Sequence, residues 1–153
     1  MRRRTPAHPE PVGRTSVIVF VTACTARRRP ILANPAAATT LRRAWHAADG
    51  WAVGRYVIMP DHLHLFCAPV RVEVTLTQWM RYWRSLASRR WPYPEQQPIW
   101  QADYWDTQLR HGEDYDAKWE YVRENPVRHG YVAQAETWPF AGELAALEWD
   151  GRH

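Results

Sequence analysis

The chain has 153 residues, enough for one domain with a substantial core, and its hydrophobic and charged contents are those of a globular protein. Its formal net charge is +4, and all but one of its 20 cationic residues are arginine. Two cysteines argue against a disulfide-stapled domain and indicate buried thiols in a reducing, cytoplasmic compartment. No apolar stretch approaches the roughly 18 residues that cross a membrane, so we expect no membrane partner.

Residues 1–15 are proline-rich and basic, and they predict a flexible arm. The arm carries Arg2, Arg3, Arg4 and Arg14. The apolar run from Ser16 to Cys24 fits a central strand that is buried on both faces. Val21–Cys24 could alternatively pass for a lipoprotein cleavage box. The run is short for a signal peptide, however, and a charged stretch separates it from the basic start, which favours the strand.

The following segments alternate between helical and strand patterns. A helix is predicted from Pro35, capped by Asn34, to Gly50. Later elements are predicted at 51–59, 62–67 and 104–109 (strands) and at 74–90 and 114–124 (helices). Asn125-Pro126 is expected to end the last helix, because the residue before proline avoids the helical region.

The order strand, helix, strand, strand, helix, strand predicts a fold of the α+β class. The pattern is that of a ferredoxin-like βαββαβ antiparallel sheet, followed here by one extra C-terminal helix. In that arrangement the first and third strands are central. We expect one domain over residues 16–140 and a short C-terminal tail over residues 141–153.

Two histidines stand one residue apart in the run MPDHLHLF. Side chains alternate along a strand, so His62 and His64 share a face and lie about 7 Å apart at Cα. Imidazole is a common metal ligand, and two imidazoles alone favour zinc over magnesium. The alternative is that both are partly buried polar residues bonded to their neighbours.

Tyr121 lies off the apolar stripe of the last predicted helix. Tyr115, Trp119 and Val122 form that stripe, whereas Tyr121 is on the same side as Asn125, four residues later. A tyrosine in this position can be an ordinary surface residue. It can also be a nucleophile beside a ligand-binding amide.

The motifs MPDHLHL, WQADYWDTQLRHGEDY, YVRENPVRHGYV and WPF together resemble the REP-associated tyrosine transposases. This group belongs to the single-tyrosine branch of the HUH nucleases, named for histidine-hydrophobe-histidine. The resemblance runs from about Ser16 to Phe140. It implies a ferredoxin-like sheet with the histidine pair on a central strand.

The resemblance also implies roles for individual residues. His62 and His64 would be metal ligands, with Asn125 completing the site, and Tyr121 would be the nucleophile. The metal would be magnesium or manganese, which replaces the zinc expectation. The implied activity is DNA transposition: nicking and rejoining of single-stranded DNA near palindromic hairpins through a 5′-phosphotyrosine intermediate. A monomer in the cytoplasm, associated with the nucleoid, would be expected.

Basic and aromatic residues predict the nucleic-acid contacts. Besides the arm, the candidates are Arg27, Arg28, Arg29, Arg81, Arg84, Trp83, Arg123 and Arg128. Arginines neutralise phosphates and aromatic rings stack on bases, although any one of these arginines could be a solvated surface charge.

Two other functions remain open on the sequence alone. The protein could bind DNA hairpins without cleaving them. It could also be a zinc hydrolase that uses water as its nucleophile, although no carboxylate is paired with the histidines at a recognisable spacing.

Overall fold

A computed structural model describes residues 10–110 and 114–149. Its strands are β1 (Glu10–Thr15), β2 (Val19–Cys24), β3 (Trp51–Ile58), β4 (His62–Pro69), β5 (Trp105–Gln108), β6 (Ala141–Glu143) and β7 (Ala145–Trp149). Its α-helices are α1 (Pro35–Ala47), α2 (Leu76–Arg89), α3 (Tyr115–Val122) and α4 (Asn125–Arg128). The protein is therefore mixed α/β, and each element predicted between residues 16 and 124 has a counterpart.

Five strands form one antiparallel sheet in the order β5-β2-β4-β3-β6. β2 and β4 are central, as expected for the first and third predicted strands. β6 extends the sheet beyond β3, and β1 pairs in parallel with β7 as a separate two-stranded sheet. The sequence predicts none of these three strands. β1 starts inside the segment predicted as a flexible arm, of which residues 1–9 lie outside the described residues.

Helices α1 and α2 cover one face of the five-stranded sheet, here called the helical face. Leu63 and Leu65 of β4 are fully buried there, together with Trp79 and Trp83 of α2. The cysteines are buried free thiols, as predicted. No helix in the described ranges is long and apolar enough to cross a membrane.

Side-chain caps fix where α1 and α2 begin. The Asn34 side chain accepts a hydrogen bond from the backbone N–H of Ala37 at 3.0 Å, as the predicted N-cap requires. Thr75 and Gln78 form a reciprocal capping box at the start of α2. These caps satisfy backbone donors that the first helical turns leave unpaired.

The opposite face of the sheet, here called the imidazole face, carries α3. Phe66 of β4 packs there against Tyr115, with ring centroids 4.9 Å apart. The β3–β4 register shifts between Val53 and Tyr56, and the Tyr115 hydroxyl accepts a hydrogen bond from the Arg55 N–H at 3.0 Å. A Cβ on Gly54 would lie 2.6 Å from the Tyr115 hydroxyl oxygen, so only glycine allows this close seating of α3.

The segment after α3 differs in detail from the expectation. α3 ends at Val122, and after a short turn α4 starts at Asn125 instead of the chain leaving the helical region. Pro126 occupies the first turn of α4, where its missing N–H has no helical partner to lose. Further on, the Trp138 indole donates to the Ile58 carbonyl at 3.0 Å, which ties the WPF motif to the end of β3.

Candidate functional site

The two histidines lie at the start of central strand β4, on the imidazole face. Their ring centroids are 4.9 Å apart, and the rings are nearly perpendicular, at 76°. The intervening Leu63 is fully buried on the helical face. The strand alternation therefore brings both imidazoles to one surface, as the sequence predicts.

Each imidazole is oriented through its Nδ1 atom. Nδ1 of His64 lies 2.8 Å from the hydroxyl oxygen of Thr22, its direct cross-strand partner on β2. Nδ1 of His62 lies 2.8 Å from a carboxylate oxygen of Asp61. Within residues 10–110 and 114–149, neither Nε2 atom has a hydrogen-bond partner. Both rings thus keep Nε2 available for a ligand. In metal sites, hydrogen bonds to the other ring nitrogen, like those of Thr22 and Asp61 here, fix the orientation of the ring.

The environment of His64 keeps its ring neutral at physiological pH. Burial lowers the pKa of His64 to about 3, and the positive charges of His62, Arg128 and Lys118 act in the same direction. A neutral imidazole is the form that binds a metal ion. The positive surroundings also favour an anion close to the imidazole pair.

Asp61 does more than form the turn before β4. The Arg28 guanidinium lies 3.1 Å from its carboxylate and 3.5 Å from His62 Nδ1. Burial alone would raise the pKa of Asp61, but hydrogen bonds to His62 and Arg28 lower it below its ordinary value. Arg27 and Arg28 both have positive φ, 59° and 53°, in the short turn that follows β2. The Asp61 carboxylate is therefore charged. It pairs with Arg28 and also bonds Nδ1 of His62, which fixes the orientation of that ring.

Tyr121 is the exposed tyrosine of α3. Its side chain is 67% exposed, whereas Tyr115 and Val122 are buried in the core and Trp119 packs partly against them. The predicted apolar stripe and the position of Tyr121 outside it are both observed.

Arg128 joins Tyr121 to Asn125. Its guanidinium carbon lies 4.1 Å from the centre of the Tyr121 ring, and one of its nitrogens donates to the Asn125 side-chain oxygen at 2.6 Å. The two predicted site residues thus share one cationic partner, even though α3 ends between them. In the described part of the chain, no hydrogen bond or ring contact joins Tyr121 or Asn125 directly to His62 or His64.

Lys118 and Phe20 connect α3 to the imidazole pair. The Lys118 ammonium lies 5.1 Å from the centre of the Phe20 ring. That ring in turn stacks on His64, with centroids 5.2 Å apart and an interplanar angle of 19°. Lys118 and Tyr121 are one turn apart on α3, here called the tyrosine helix. Because Lys118 contacts Phe20 of β2, this helix lies against the strand that pairs with β4.

The donor set limits what the site can hold. Among the described residues, no group of three His, Cys, Asp or Glu side chains is placed to hold a metal ion. Two imidazoles with free Nε2 atoms fit a divalent ion if an amide oxygen and ligand oxygens complete its shell. Of the three residues predicted as metal ligands, the structure brings His62 and His64 together, whereas the side-chain oxygen of Asn125 accepts a hydrogen bond from Arg128.

The predicted nucleic-acid contacts have different environments. Trp83 is wholly buried in the core of the helical face, so the hypothesis that its ring stacks on bases is wrong. Arg84 donates to the Met80, Gln101 and Ala102 carbonyls, and Arg29 donates to the Gln96 and Pro98 carbonyls. These two arginines stabilise loops.

The other predicted contacts lie near the surface. Arg27 and Arg81 are exposed, Arg14 lies 4.0 Å from Glu148, and Arg123 donates to Glu120 at 3.3 Å. Arg2, Arg3 and Arg4 lie outside the described residues. Of the arginines predicted to contact DNA and described by the structure, Arg28 contacts His62, and Arg128 contacts Tyr121 and Asn125.

Sequence reasoning does not find three residues around the imidazoles. Thr22 and Phe20 stand within the apolar run of β2, where they resemble ordinary strand residues. Lys118 resembles any exposed helix residue. The available signal for Thr22 was the strand pairing itself, because the cross-strand neighbour of His64 must be close enough to bond its ring.

Comparison with known proteins agrees with the motifs. The chain is 27% identical over 106 residues to the REP-associated tyrosine transposase of Escherichia coli (strain K12), covering 65% of this chain and 62% of that protein. A Haemophilus influenzae relative named for the same group is 29% identical over 113 residues, covering 61% of this chain and 64% of its own. The predicted resemblance to REP-associated tyrosine transposases is confirmed. The chain spans less than two thirds of the length of these curated relatives.

The fold is similar to that of a solved REP-associated tyrosine transposase bound to a REP hairpin. The TM-score is 0.69 at 23% sequence identity, and the alignment covers 92% of this chain and 81% of that chain. At 23% identity the comparison shows a similar fold and nothing finer. No protein-family model matches the chain.

Proposed function

We propose that the protein is a transposase that nicks and rejoins single-stranded DNA next to a palindromic hairpin. The observation that carries the proposal is the imidazole pair on β4, whose Nε2 atoms have no hydrogen-bond partner among the described residues and whose His64 ring is neutral, close to the helix that presents Tyr121. The resemblance in sequence and fold supports it, because one structural relative is bound to a REP hairpin. The central places of β2 and β4 support a ferredoxin-like topology.

His62, His64 and Asn125 would hold a magnesium or manganese ion. When bound, such an ion polarises a phosphate and stabilises the negative charge that builds on its oxygens. The protein's part is to present the two imidazoles in fixed orientations, which Thr22 and Asp61 do through Nδ1. Arg128 would release Asn125 when a DNA phosphate becomes available to its guanidinium.

Tyr121 would act as the nucleophile. Its hydroxyl oxygen attacks the phosphorus, forms a 5′-phosphotyrosine link and releases a 3′-hydroxyl. A second 3′-hydroxyl can then attack this link and rejoin DNA without an external energy source. The exposure of Tyr121 gives a DNA strand access to its oxygen, and the adjacent Arg128 supplies a phosphate contact.

Labelled hairpin DNA with a single-stranded flank, incubated with manganese, tests this function. We expect a covalent protein–DNA adduct on a denaturing gel that is lost in Tyr121→Phe and in His64→Ala. Tyr131→Phe is the matched control, since Tyr131 is also exposed but lies outside the site.

Two other outcomes would favour the alternatives. Tight hairpin binding without an adduct, across many hairpins and with either metal, would indicate a binding protein. Cleavage that survives Tyr121→Phe but is lost in His64→Ala would indicate a hydrolase that uses water. Gel-filtration with light scattering, with and without DNA, tests whether the protein is a monomer.

A further inference from the structure

Lys118 is the single lysine among the 20 basic residues of the chain. Lysine and arginine both carry a positive charge, but they differ as proton donors. A guanidinium keeps its proton throughout the pH range in which proteins work, whereas an ammonium can give its proton to a strongly basic oxygen. A lone lysine in an arginine-rich protein is therefore of interest where proton transfer is needed.

Lys118 is placed on the tyrosine helix, three residues before Tyr121. Positions three apart lie on neighbouring parts of a helix surface. The Lys118 ammonium lies 5.1 Å from the centre of the Phe20 ring, which stacks on His64. The ammonium thus lies against an aromatic ring that stacks on one of the two imidazoles, and its residue is one helical turn from Tyr121.

The Lys118 ammonium has no ion pair or hydrogen bond within the described ranges. The nearby carboxylates of α3 are paired elsewhere: Asp116 binds Arg55 at 2.6 Å, and Glu120 binds Arg123 at 3.3 Å. Asp61 is held by Arg28 and His62. An unpaired cation next to other cations favours an anionic ligand, and a phosphodiester has the required charge.

We propose that Lys118 is a further catalytic residue, which contacts the cleaved phosphodiester and gives its proton to the leaving 3′ oxygen. The proposal rests on the proposed function. The bond between the Tyr121 oxygen and phosphorus forms, and the phenolic proton passes to solvent. The bond between phosphorus and the 3′ oxygen breaks, and this oxygen takes the electron pair and the Lys118 proton. In rejoining, the neutral amine takes a proton from the attacking 3′-hydroxyl.

A pair of substrates separates proton donation from simple charge. One has the natural 3′ oxygen at the cleaved bond, and the other has sulfur in that position. A thiolate leaves without protonation, because thiols have a pKa near 8.5. With Lys118→Arg, which keeps the charge, we expect single-turnover cleavage of the oxygen substrate to slow about 100-fold or more. Cleavage of the sulfur substrate should stay within about threefold of wild type, since it needs no general acid.

Two controls make the result decisive. Lys118→Gln tests loss of charge and proton together, and Arg123→Gln removes a different cation, at the C-cap of the same helix. We expect Lys118→Gln to slow the oxygen substrate more than the sulfur substrate, because sulfur replaces the lost proton but not the lost charge. Arg123→Gln should change cleavage of the two substrates by the same factor. Equal slowing of both substrates by Lys118→Arg, or no slowing of either, would overturn the proposal. If the wild-type protein forms no adduct with either substrate, the proposed function itself fails.

Discussion

The two faces of the five-stranded sheet differ in what their side chains do. On the helical face, Trp79 and Trp83 are buried, and the Trp79 indole donates to the Ala48 carbonyl at 2.8 Å. On the imidazole face, a smaller core around Phe66 and Tyr115 adjoins partly exposed rings and cations, as in Phe20, His64 and Lys118. One face is thus mainly core, and the other combines core with polar groups near the surface.

This difference shows how a small domain separates stability from chemistry. Leu63 and Leu65 contribute to the core, while His62 and His64, in the same segment, contribute to the site. The pleat alone achieves the separation. Substitutions on the two faces should therefore affect different measured quantities, and four experiments test this.

The largest contrast should be between Trp83→Ala and Tyr121→Phe. Removing the wholly buried indole leaves a cavity, and we expect the free energy of unfolding to fall by about 3–5 kcal/mol. Tyr121→Phe changes an exposed hydroxyl, so unfolding should shift by less than about 0.5 kcal/mol while the DNA adduct is lost. Urea unfolding measures the stability of the two variants, and a denaturing gel measures the adduct. A similar loss of stability in the two variants would contradict the separation of roles.

The next effect should be a dependence of stability on pH that arises at His64. Its pKa is lowered from 6.5 to about 3 by burial and nearby positive charges. Between these values the unfolded chain binds a proton that the folded chain does not, so stability falls as pH falls below 6.5. The loss should be at most about 1.4 kcal/mol per pH unit.

Unfolding of His64→Gln at pH 7 and pH 5 measures this contribution. The variant should lose less stability over that range than the wild type. His46→Gln, which removes an exposed histidine of α1, should keep the wild-type slope. A wild-type slope in His64→Gln would assign the acid sensitivity to other groups.

A smaller effect is expected from Thr22→Val, which keeps the shape of the side chain but removes its bond to His64 Nδ1. We expect manganese affinity to fall about tenfold, because the imidazole is then no longer held in one orientation. Electron paramagnetic resonance of free manganese measures the affinity. Thr40→Val, which removes a hydroxyl bonded within α1, is the matched control and should leave the affinity unchanged.

The smallest effect should be on the affinity and salt dependence of DNA binding, compared between Arg128 beside the predicted site and Arg71 at the far end of β4. Arg128→Ala should weaken binding of single-stranded DNA and reduce the magnitude of its salt slope by about 0.7, the loss of one phosphate contact. Arg71→Ala is the control, since Arg71 follows the far end of β4 and pairs with Asp49 at 3.3 Å. Equal changes in both variants, measured by fluorescence anisotropy at several salt concentrations, would mean that DNA does not prefer the imidazole face.

The sequence predicts the central elements because their patterns are strong. The β-branched run of β2, the capped helix α1 and the alternation in β4 each have a local physical cause. Tyr121 is also predictable as an exposed residue, because helical periodicity separates it from Tyr115 and Val122. The hypothesis that Trp83 contacts DNA is wrong because Trp83 belongs to the buried stripe of α2, and the arginines beside it in sequence do not bring its ring to the surface.

The rest depends on contacts between distant segments. β1 and β7 are short strands that pair across nearly the whole chain, for which local patterns carry no signal. Arg29 and Arg84 look like free phosphate ligands in sequence, and only the packed loops show that carbonyls bind them. The roles of Thr22 and Phe20 likewise follow from the β2–β4 register.

The alternation along β4 has a consequence for how this protein can change over evolution. In a saturation library of residues 62–65, selection for folding alone would constrain Leu63 and Leu65 and tolerate polar changes at His62 and His64. Selection for DNA processing would constrain all four. The two histidines could therefore be lost without loss of the fold, and such chains would keep the five-stranded sheet while lacking the proposed metal site.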